Sequence, residues 1–178
     1  GTCRAGPLRP GPHATRFRVD DARVVEFDDG IQGHCRYRLG DLGDFVVRRR
    51  DGVVAYQMAV VVDDADQGVT DVVRGADLLA STPWQIALSD ALHLYRPQYM
   101  HVPLVLEADG AKLSKSRHAL PLDPMHASAA IVAALRMLGL EVPTTLSSAV
   151  PRELWAWART RWTPQLCAGR ATSRLVET

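Results

Sequence analysis

The order of segments between residues 69 and 139 constrains the fold more than any other feature of this sequence. Residues 69–73 are rich in β-branched side chains and indicate a strand, and a helix follows that Thr82 can cap at its N-terminus. Residues 101–106 indicate a buried strand, a polar loop comes next, and a second helix begins near Asp123. Strands that alternate with helices predict an open α/β sheet, in which ligands bind at the carboxyl ends of strands.

The polar loop offers chemistry that suits phosphate. Its five residues are Lys112, Leu113, Ser114, Lys115 and Ser116. Ammonium groups supply positive charge, and hydroxyl and backbone N–H groups supply directed donors. An ordinary solvated loop has the same composition, so the pentapeptide by itself leaves both interpretations open.

Three helices are predicted from apolar positions with helical spacing. In the first, Pro83 suits the first turn, and the apolar face comprises Trp84, Leu88, Ala91 and Leu92. The second ends at Gly139 and carries Ile131, Ala134, Leu135 and Leu138. The last begins near Pro151 and carries Leu154, Trp157 and Ala158. We expect the final ten or so residues to lack regular structure.

The residues before position 50 show the alternation typical of strands. Apolar Cys35, Tyr37 and Leu39 alternate with polar His34, Arg36 and Arg38. This pattern predicts a small antiparallel sheet with a basic face. Residues 53–64 fit a buried strand and a buried helix equally well.

Composition limits the classes of function. The net charge is +1 and the sequence pI is about 8.0, so bulk charge does not indicate a nucleic-acid-binding domain. Local basic clusters remain as candidates, although solvated surface explains each of them: Arg16 and Arg18, Arg36 and Arg38, and residues 48–50. An odd number of distant cysteines fits a reducing compartment, and no apolar run is long enough for a membrane helix. We therefore expect a cytoplasmic, monomeric protein without membrane contact.

Residues 112–116 resemble the KMSKS loop, the second signature of class I aminoacyl-tRNA synthetases, in its KLSKS form. The upstream segments 43–52, 56–64, 67–79 and 101–104 resemble the core of the glutamyl-type members of that family. The similarity is dense over residues 43–140. Residues 74–79, Arg-Gly-Ala-Asp-Leu-Leu, resemble the glutamyl-queuosine branch in particular. The chain ends about 62 residues after the loop, which leaves no room there for an anticodon-binding domain and favours the same branch.

The resemblance implies an α/β fold, the second half of the Rossmann-like class I core, with a small β-rich insertion and a C-terminal helical segment. In these terms residues 1–50 are the insertion, 51–118 the half-core with the KLSKS loop, and 119–178 the helical segment. It also implies that residues 56–64 are helical.

The implied activity has two steps: ATP with Mg activates L-glutamate as glutamyl-adenylate, and glutamate then passes to the queuosine base of tRNA(Asp). By resemblance, Lys112 and Lys115 are catalytic, and Lys115, Ser114 and Ser116 hold ATP. Tyr56 and Arg74 bind glutamate. Two alternatives are a part of an ordinary glutamyl-tRNA synthetase and a non-catalytic RNA-binding remnant.

Some family features are missing from these 178 residues. The first class I signature, the HIGH-like motif, does not occur in them, so we expect the chain to be part of a longer protein and inactive in adenylation by itself. Residues 1–4 resemble the end of a zinc cluster found in part of the family, in which Cys3 would be the last ligand. A single cysteine is no zinc site. Cys35 and Cys167 are expected to be buried thiols.

Overall fold

A computed structural model describes residues 4–6, 11–107, 109–113 and 123–174 of the chain. The strands are β1 Thr15–Phe17, β2 Val24–Asp29, β3 Gly33–Arg38, β4 Phe45–Arg48, β5 Asp71–Gly75, β6 Gln98–Val102, β7 Leu104–Leu106 and β8 Thr172–Arg174. The helices are α1 Leu39–Leu42, α2 Tyr56–Asp66, α3 Thr82–Ala91, α4 Ala127–Met137 and α5 Pro151–Arg159. Short 3₁₀ helices span Ala76–Ser81, Pro124–His126, Thr144–Leu146 and Pro164–Cys167. Within the described part of the chain, none of the helices has the length and apolar character that a membrane span requires.

The strands of the described residues form three sheets, and one of these sheets is larger than the sequence predicted. A four-stranded sheet has the order β3-β2-β6-β5, with β2 parallel to β6, while β1 pairs with β4 in an antiparallel ribbon. The three residues that join β2 to β3 suit an antiparallel pair, in agreement with the predicted small antiparallel sheet, but the parallel neighbour β6 on the other side of β2 was not predicted. The alternation along this segment is correct, with Cys35 and Leu39 buried and Arg36 exposed. Alternation determines which side chains point inward, but it does not determine which strand is the neighbour.

The predicted strand at residues 101–106 is two strands. Residue 103 is a proline, which has no N–H to donate, and β6 ends before it. Beyond it, β7 leaves the four-stranded sheet and pairs in parallel with β8, from Leu104 opposite Thr172 to Leu106 opposite Arg174. The expectation that the last ten residues lack regular structure is thus wrong for β8.

Contacts divide the chain into two compact units. The first comprises the described residues of Gly1–Asp29, His34–Val72 and Leu78–Met100. The second comprises those of Gly30–Gly33, Val73–Asp77 and His101–Thr178. The three-segment division at residues 50 and 118 remains a prediction.

In the first unit, α2 and α3 pack over an apolar core that includes Val25, Phe45 and Tyr99. Residues 56–66 are helical, which resolves the ambiguity of that apolar run. Helix α3 is buried around most of its circumference: Thr82, Pro83, Gln85, Ile86, Ala87, Leu88 and Ser89. The predicted apolar face of this helix was wrong at its C-terminal end, because the helix stops at residue 91 and both Ala91 and Leu92 are exposed.

The start of α3 also differs from the prediction. Ser81 is the N-terminal cap residue, and its side chain makes no capping hydrogen bond. Thr82 lies inside the helix, where its hydroxyl donates to the carbonyl oxygen of Leu78 over 3.3 Å. The preceding 3₁₀ helix explains the change, because the chain is already helical when it reaches Thr82.

In the second unit, α4 and α5 pack around a separate core of Val132, Leu135, Leu140, Val142, Leu154 and Ala158. The predicted end of α4 is confirmed. Gly139 has φ +86°, and a Cβ there would lie 2.7 Å from the carbonyl oxygen of Leu166, so only glycine fits.

Candidate functional site

A hydrogen bond between neighbouring strands links Arg74 to a buried histidine in the second unit. Arg74 lies in β5, and its Nε donates to Nε2 of His101 in β6 over 3.0 Å. The His101 side chain is fully buried. Its own backbone is also held, because Gln32 Nε2 donates to the carbonyl oxygens of His101, at 2.9 Å, and Arg170, at 2.8 Å.

The direction of this hydrogen bond defines the protonation state of the His101 imidazole. Arg74 can only donate, so Nε2 of His101 accepts. A histidine nitrogen that accepts is unprotonated, and the ring is then neutral with its proton on Nδ1. His101 is thus a neutral anchor beside a permanent cation.

A carboxylate connects Arg74 with the first lysine of the KLSKS segment. Asp77 forms an ion pair with Lys112 Nζ. The pKa of Asp77 lies below its ordinary value, chiefly because Lys112 donates to its carboxylate, and the charge of Arg74 contributes although burial opposes the change. Asp77 therefore lies within the electrostatic reach of both cations.

Backbone geometry brings Lys112 to Asp77. The chain turns back after β7, with Glu107 N–H donating to the carbonyl oxygen of Ala111 over 2.8 Å and Leu113 N–H donating to that of Val105 over 2.9 Å. Lys112 pairs with Leu106 across this turn. The β7 turn thus fixes the position at which the lysine-containing loop begins.

Gly75 leaves room for the carboxylate of Asp77. A Cβ on Gly75 would lie 2.6 Å from Asp77 Oδ1 and 3.2 Å from Leu104 Cδ2, closer than ordinary contact allows. Glycine at this position therefore lets Asp77 fold back against the end of β5.

The structure brings together some of the predicted site residues. Arg74 and Lys112 lie in the second unit, around Asp77. Tyr56 belongs to the first unit, where it is the first residue of α2 and 52% exposed. The predicted ligands Ser114, Lys115, Ser116 and Cys3 lie outside the described residues.

Sequence reasoning assigned no role to His101 or Asp77. The available signals were a histidine inside an otherwise apolar strand and an acid two residues after a glycine. Neither pattern is specific, because the partners are 27 and 35 residues away along the chain.

The basic clusters proposed from the sequence lie close to acidic or carbonyl oxygens. Arg36 pairs with Glu26, and Arg49 pairs with Asp51. Other arginines of these clusters donate to backbone carbonyl oxygens: Arg16 to Asp44, Arg38 to Asp21 and Arg48 to Gly52. These contacts favour a solvated charged surface at each cluster.

The cysteines give little support to a metal centre. Cys35 and Cys167 are buried free thiols, as predicted, and burial raises the pKa of Cys35. Among the described residues, no three His, Cys, Asp or Glu side chains are grouped so that they could hold a metal ion.

Comparison with known proteins identifies the family. A family profile described as "tRNA synthetases class I (E and Q), catalytic domain" matches residues 3–147, and the chain belongs to this family. The α/β class I core predicted from the sequence is thereby confirmed.

Several relatives share one name. The Glutamyl-Q tRNA(Asp) synthetase of Pseudomonas putida strain F1 is 49% identical over 174 residues, which cover 97% of this chain and 57% of the relative. The protein of the same name from Ectopseudomonas mendocina is 50% identical over 163 residues, covering 91% of this chain and 55% of the relative. The chain thus spans little more than half the length of these relatives.

Solved structures support the fold alone. A glutamate tRNA ligase from Elizabethkingia meningosepticum, crystallised with its amino acid, matches with a TM-score of 0.69 and 23% identity, over 93% of this chain and 36% of that one. The glutamate-tRNA synthetase of Elizabethkingia anophelis matches with a TM-score of 0.69 and 24% identity, over 93% of this chain and 37% of the other.

Proposed function

We propose that the protein containing this chain activates glutamate with ATP and transfers it to the queuosine base of tRNA(Asp). The observation that carries the proposal is the 49% identity, over 97% of the chain, to a relative named Glutamyl-Q tRNA(Asp) synthetase. The cluster of Arg74, Asp77 and Lys112 supports it, because it combines a carboxylate-binding cation with a lysine that begins the KLSKS loop. ATP and tRNA as substrates favour a cytoplasmic location.

Arg74 and Tyr56 are the proposed glutamate ligands. A guanidinium binds a carboxylate through two parallel hydrogen bonds, which gives both charge and direction. Tyr56 is the first residue of a helix and is half exposed, so a substrate can reach its side chain. A polar hydroxyl of this kind can accept from the amino group or donate to a carboxylate.

Lys112, Lys115, Ser114 and Ser116 are the proposed ATP ligands. Negative charge shifts on the phosphates during adenylate formation, and preorganised cations lower the activation free energy of this step. An ammonium group has three N–H donors, so Lys112 can contact a phosphate while Asp77 still holds it. Asp77 then limits the positions from which the lysine approaches ATP.

The expected metal ion, Mg, is part of the ATP substrate. Mg is expected to arrive bound to ATP, where it neutralises phosphate charge. The described residues do not form a zinc site, so no step is assigned to zinc. We also propose that the 178 residues alone do not activate glutamate, because the HIGH-like signature is not among them.

The test is glutamate-dependent ATP–pyrophosphate exchange by the full-length gene product that carries this chain. We expect exchange in the unaltered protein and its loss in Lys115→Ala. An Arg152→Ala variant is the matched control, because Arg152 is an exposed cation of α5, outside the proposed site, and exchange should persist.

The acceptor of the activated glutamate separates the alternatives. Transfer to tRNA(Asp) that contains queuosine supports the proposal. Transfer to tRNA(Glu) instead identifies an ordinary glutamyl-tRNA synthetase. The absence of exchange with any amino acid, from a folded full-length protein, contradicts an enzymatic role and favours a non-catalytic RNA-binding protein.

A further inference from the structure

We propose that His101 is a positioning residue that decides which edge of the Arg74 guanidinium meets a carboxylate. The inference rests on the proposed role of Arg74 in glutamate binding. It adds a residue, and a specific geometry, to that role.

A guanidinium can bind a carboxylate in two bidentate ways. The side-on mode uses Nε and one terminal nitrogen, whereas the end-on mode uses the two terminal nitrogens. Here the N–H of Nε points to His101 Nε2 at 3.0 Å. A carboxylate that binds Arg74 without breaking this bond therefore pairs end-on.

Burial makes His101 a firm anchor. Its side chain is fully enclosed, and its strand position is fixed further by the hydrogen bond from Gln32 to its carbonyl oxygen. Rotating the ring away would leave a buried polar nitrogen without this partner, which is costly. The guanidinium is thus oriented before the ligand arrives, and less conformational entropy is lost on binding.

The chemical type of the anchor also matters. A carboxylate in the place of His101 would orient Arg74 equally well but would cancel much of its charge. Arg4 illustrates this case, since it forms ion pairs with both Asp21 and Asp44. A neutral imidazole that accepts this hydrogen bond orients the cation without adding a negative charge of its own, so it opposes the attraction of an anionic ligand less than a carboxylate would.

The decisive comparison is between His101→Gln and His101→Asn in the full-length protein. A glutamine amide reaches about as far as Nε2 and can accept from Arg74, whereas an asparagine amide reaches only about as far as Nδ1. Both substitutions are polar, so both suit a buried hydrogen-bonded site. ATP–pyrophosphate exchange then gives kcat and the separate KM values for glutamate and ATP.

We expect His101→Asn to raise the KM for glutamate about tenfold, the effect of one lost hydrogen bond to a charged group, with kcat and the KM for ATP within about twofold of the unaltered protein. His101→Gln should restore a glutamate KM near the original. His34→Asn is the control, because His34 is an exposed histidine of β3, and should change neither KM.

Three results would overturn the inference: an unchanged glutamate KM in His101→Asn, a parallel rise in both KM values, or no recovery in His101→Gln. Should His101→Asn fail to fold, the glutamine variant still decides, since loss of glutamate affinity in a folded His101→Gln protein contradicts the role. Failure of the proposed function is distinct from these, because the unaltered protein would then lack glutamate-dependent exchange.

Discussion

Asp44 in the first unit and Asp77 in the second each pair with a cation, and they do so differently. Asp44 in the first unit accepts from Nε and Nη2 of Arg4, at 2.8 and 2.7 Å, and from the backbone N–H of Val19 at 3.0 Å. Its side chain is 12% exposed. Asp77 in the second unit pairs with Lys112, with side chains 39% and 51% exposed.

The difference separates a structural contact from an adaptable one. A sheltered bidentate pair with backbone support holds segments together, and removing one partner leaves an unsatisfied charge. An exposed lysine–carboxylate pair contributes little to folding, because water competes for both partners. The pair does, however, determine the position of the Lys112 ammonium group. We therefore expect changes at Asp44 to affect stability and changes around Asp77 to affect activity.

The largest effect on activity is expected at Arg74, which donates to His101 and lies near Asp77. Arg74→Lys keeps the charge but removes the planar fork, so kcat/KM for glutamate should fall roughly 100-fold. The melting temperature should fall as well, because the substitution removes the Nε donor from the buried His101 side chain. Arg36→Lys, at an exposed arginine paired with Glu26, is the matched control and should leave exchange intact. An active Arg74→Lys enzyme with normal glutamate affinity would remove Arg74 from the glutamate site.

A smaller effect is expected at Asp77. Asp77→Asn removes the charge that holds Lys112, so kcat/KM for ATP should fall about tenfold, the effect of one charged hydrogen bond. The melting temperature should stay within about 1 °C, as for exposed ion pairs generally. A large loss of stability with normal ATP kinetics would show that Asp77 resembles Asp44, and the contrast between the two units would fail.

Gly75 tests the same contact indirectly. Gly75→Ala forces a methyl group against Asp77 Oδ1, so the carboxylate must move and ATP kinetics should weaken about threefold, less than on losing the charge. In an Asp77→Ala background the methyl group meets no carboxylate, and only the end of the flexible Leu104 side chain must yield, so the alanine at residue 75 should then cost much less. Additive effects of the two substitutions would argue against the steric explanation.

The smallest effect on activity is expected at Asp44, where stability should change instead. Asp44→Asn should lower the melting temperature by roughly 4 °C and leave exchange at moderate temperature unaltered. Activity loss in a folded Asp44→Asn protein would contradict the assignment of Asp44 as purely structural.

A pH series checks the cause of that stabilisation. Hydrogen bonds from Arg4 hold the pKa of Asp44 at about 2, below its ordinary value of 3.8. Because the folded-state pKa is the lower one, the stabilisation is present above about pH 3.8 and is lost as the pH falls toward 2. The difference in melting temperature between the unaltered protein and Asp44→Asn should therefore close over this interval. A constant difference would indicate that packing, and not charge, is responsible.

Local patterns predicted much of the fold. Proline at a helix start gave α5, and helical spacing with a terminal glycine gave α4. Alternation gave the inward side of β3. These signals succeed because each depends on residues within a few positions of one another.

Non-local pairing was not predictable in this way. No period in the sequence indicates that β7 pairs with β8, which lies some 68 residues later, or that β2 runs parallel to β6. The residues of the candidate site also fall into those that the sequence identified and those that it did not. Arg74 and Lys112 were identified by family resemblance, whereas His101 and Asp77 are recognisable only from the partners that folding brings to them.

The most direct test of the proposed function compares one tRNA in two states. The full-length protein is given labelled glutamate, ATP and tRNA(Asp) either with or without queuosine, and tRNA(Glu) serves as a third substrate. We predict label only on the queuosine-containing tRNA(Asp). Equal labelling of both forms of tRNA(Asp), or labelling of tRNA(Glu), would contradict the proposal that the queuosine base receives the glutamyl group.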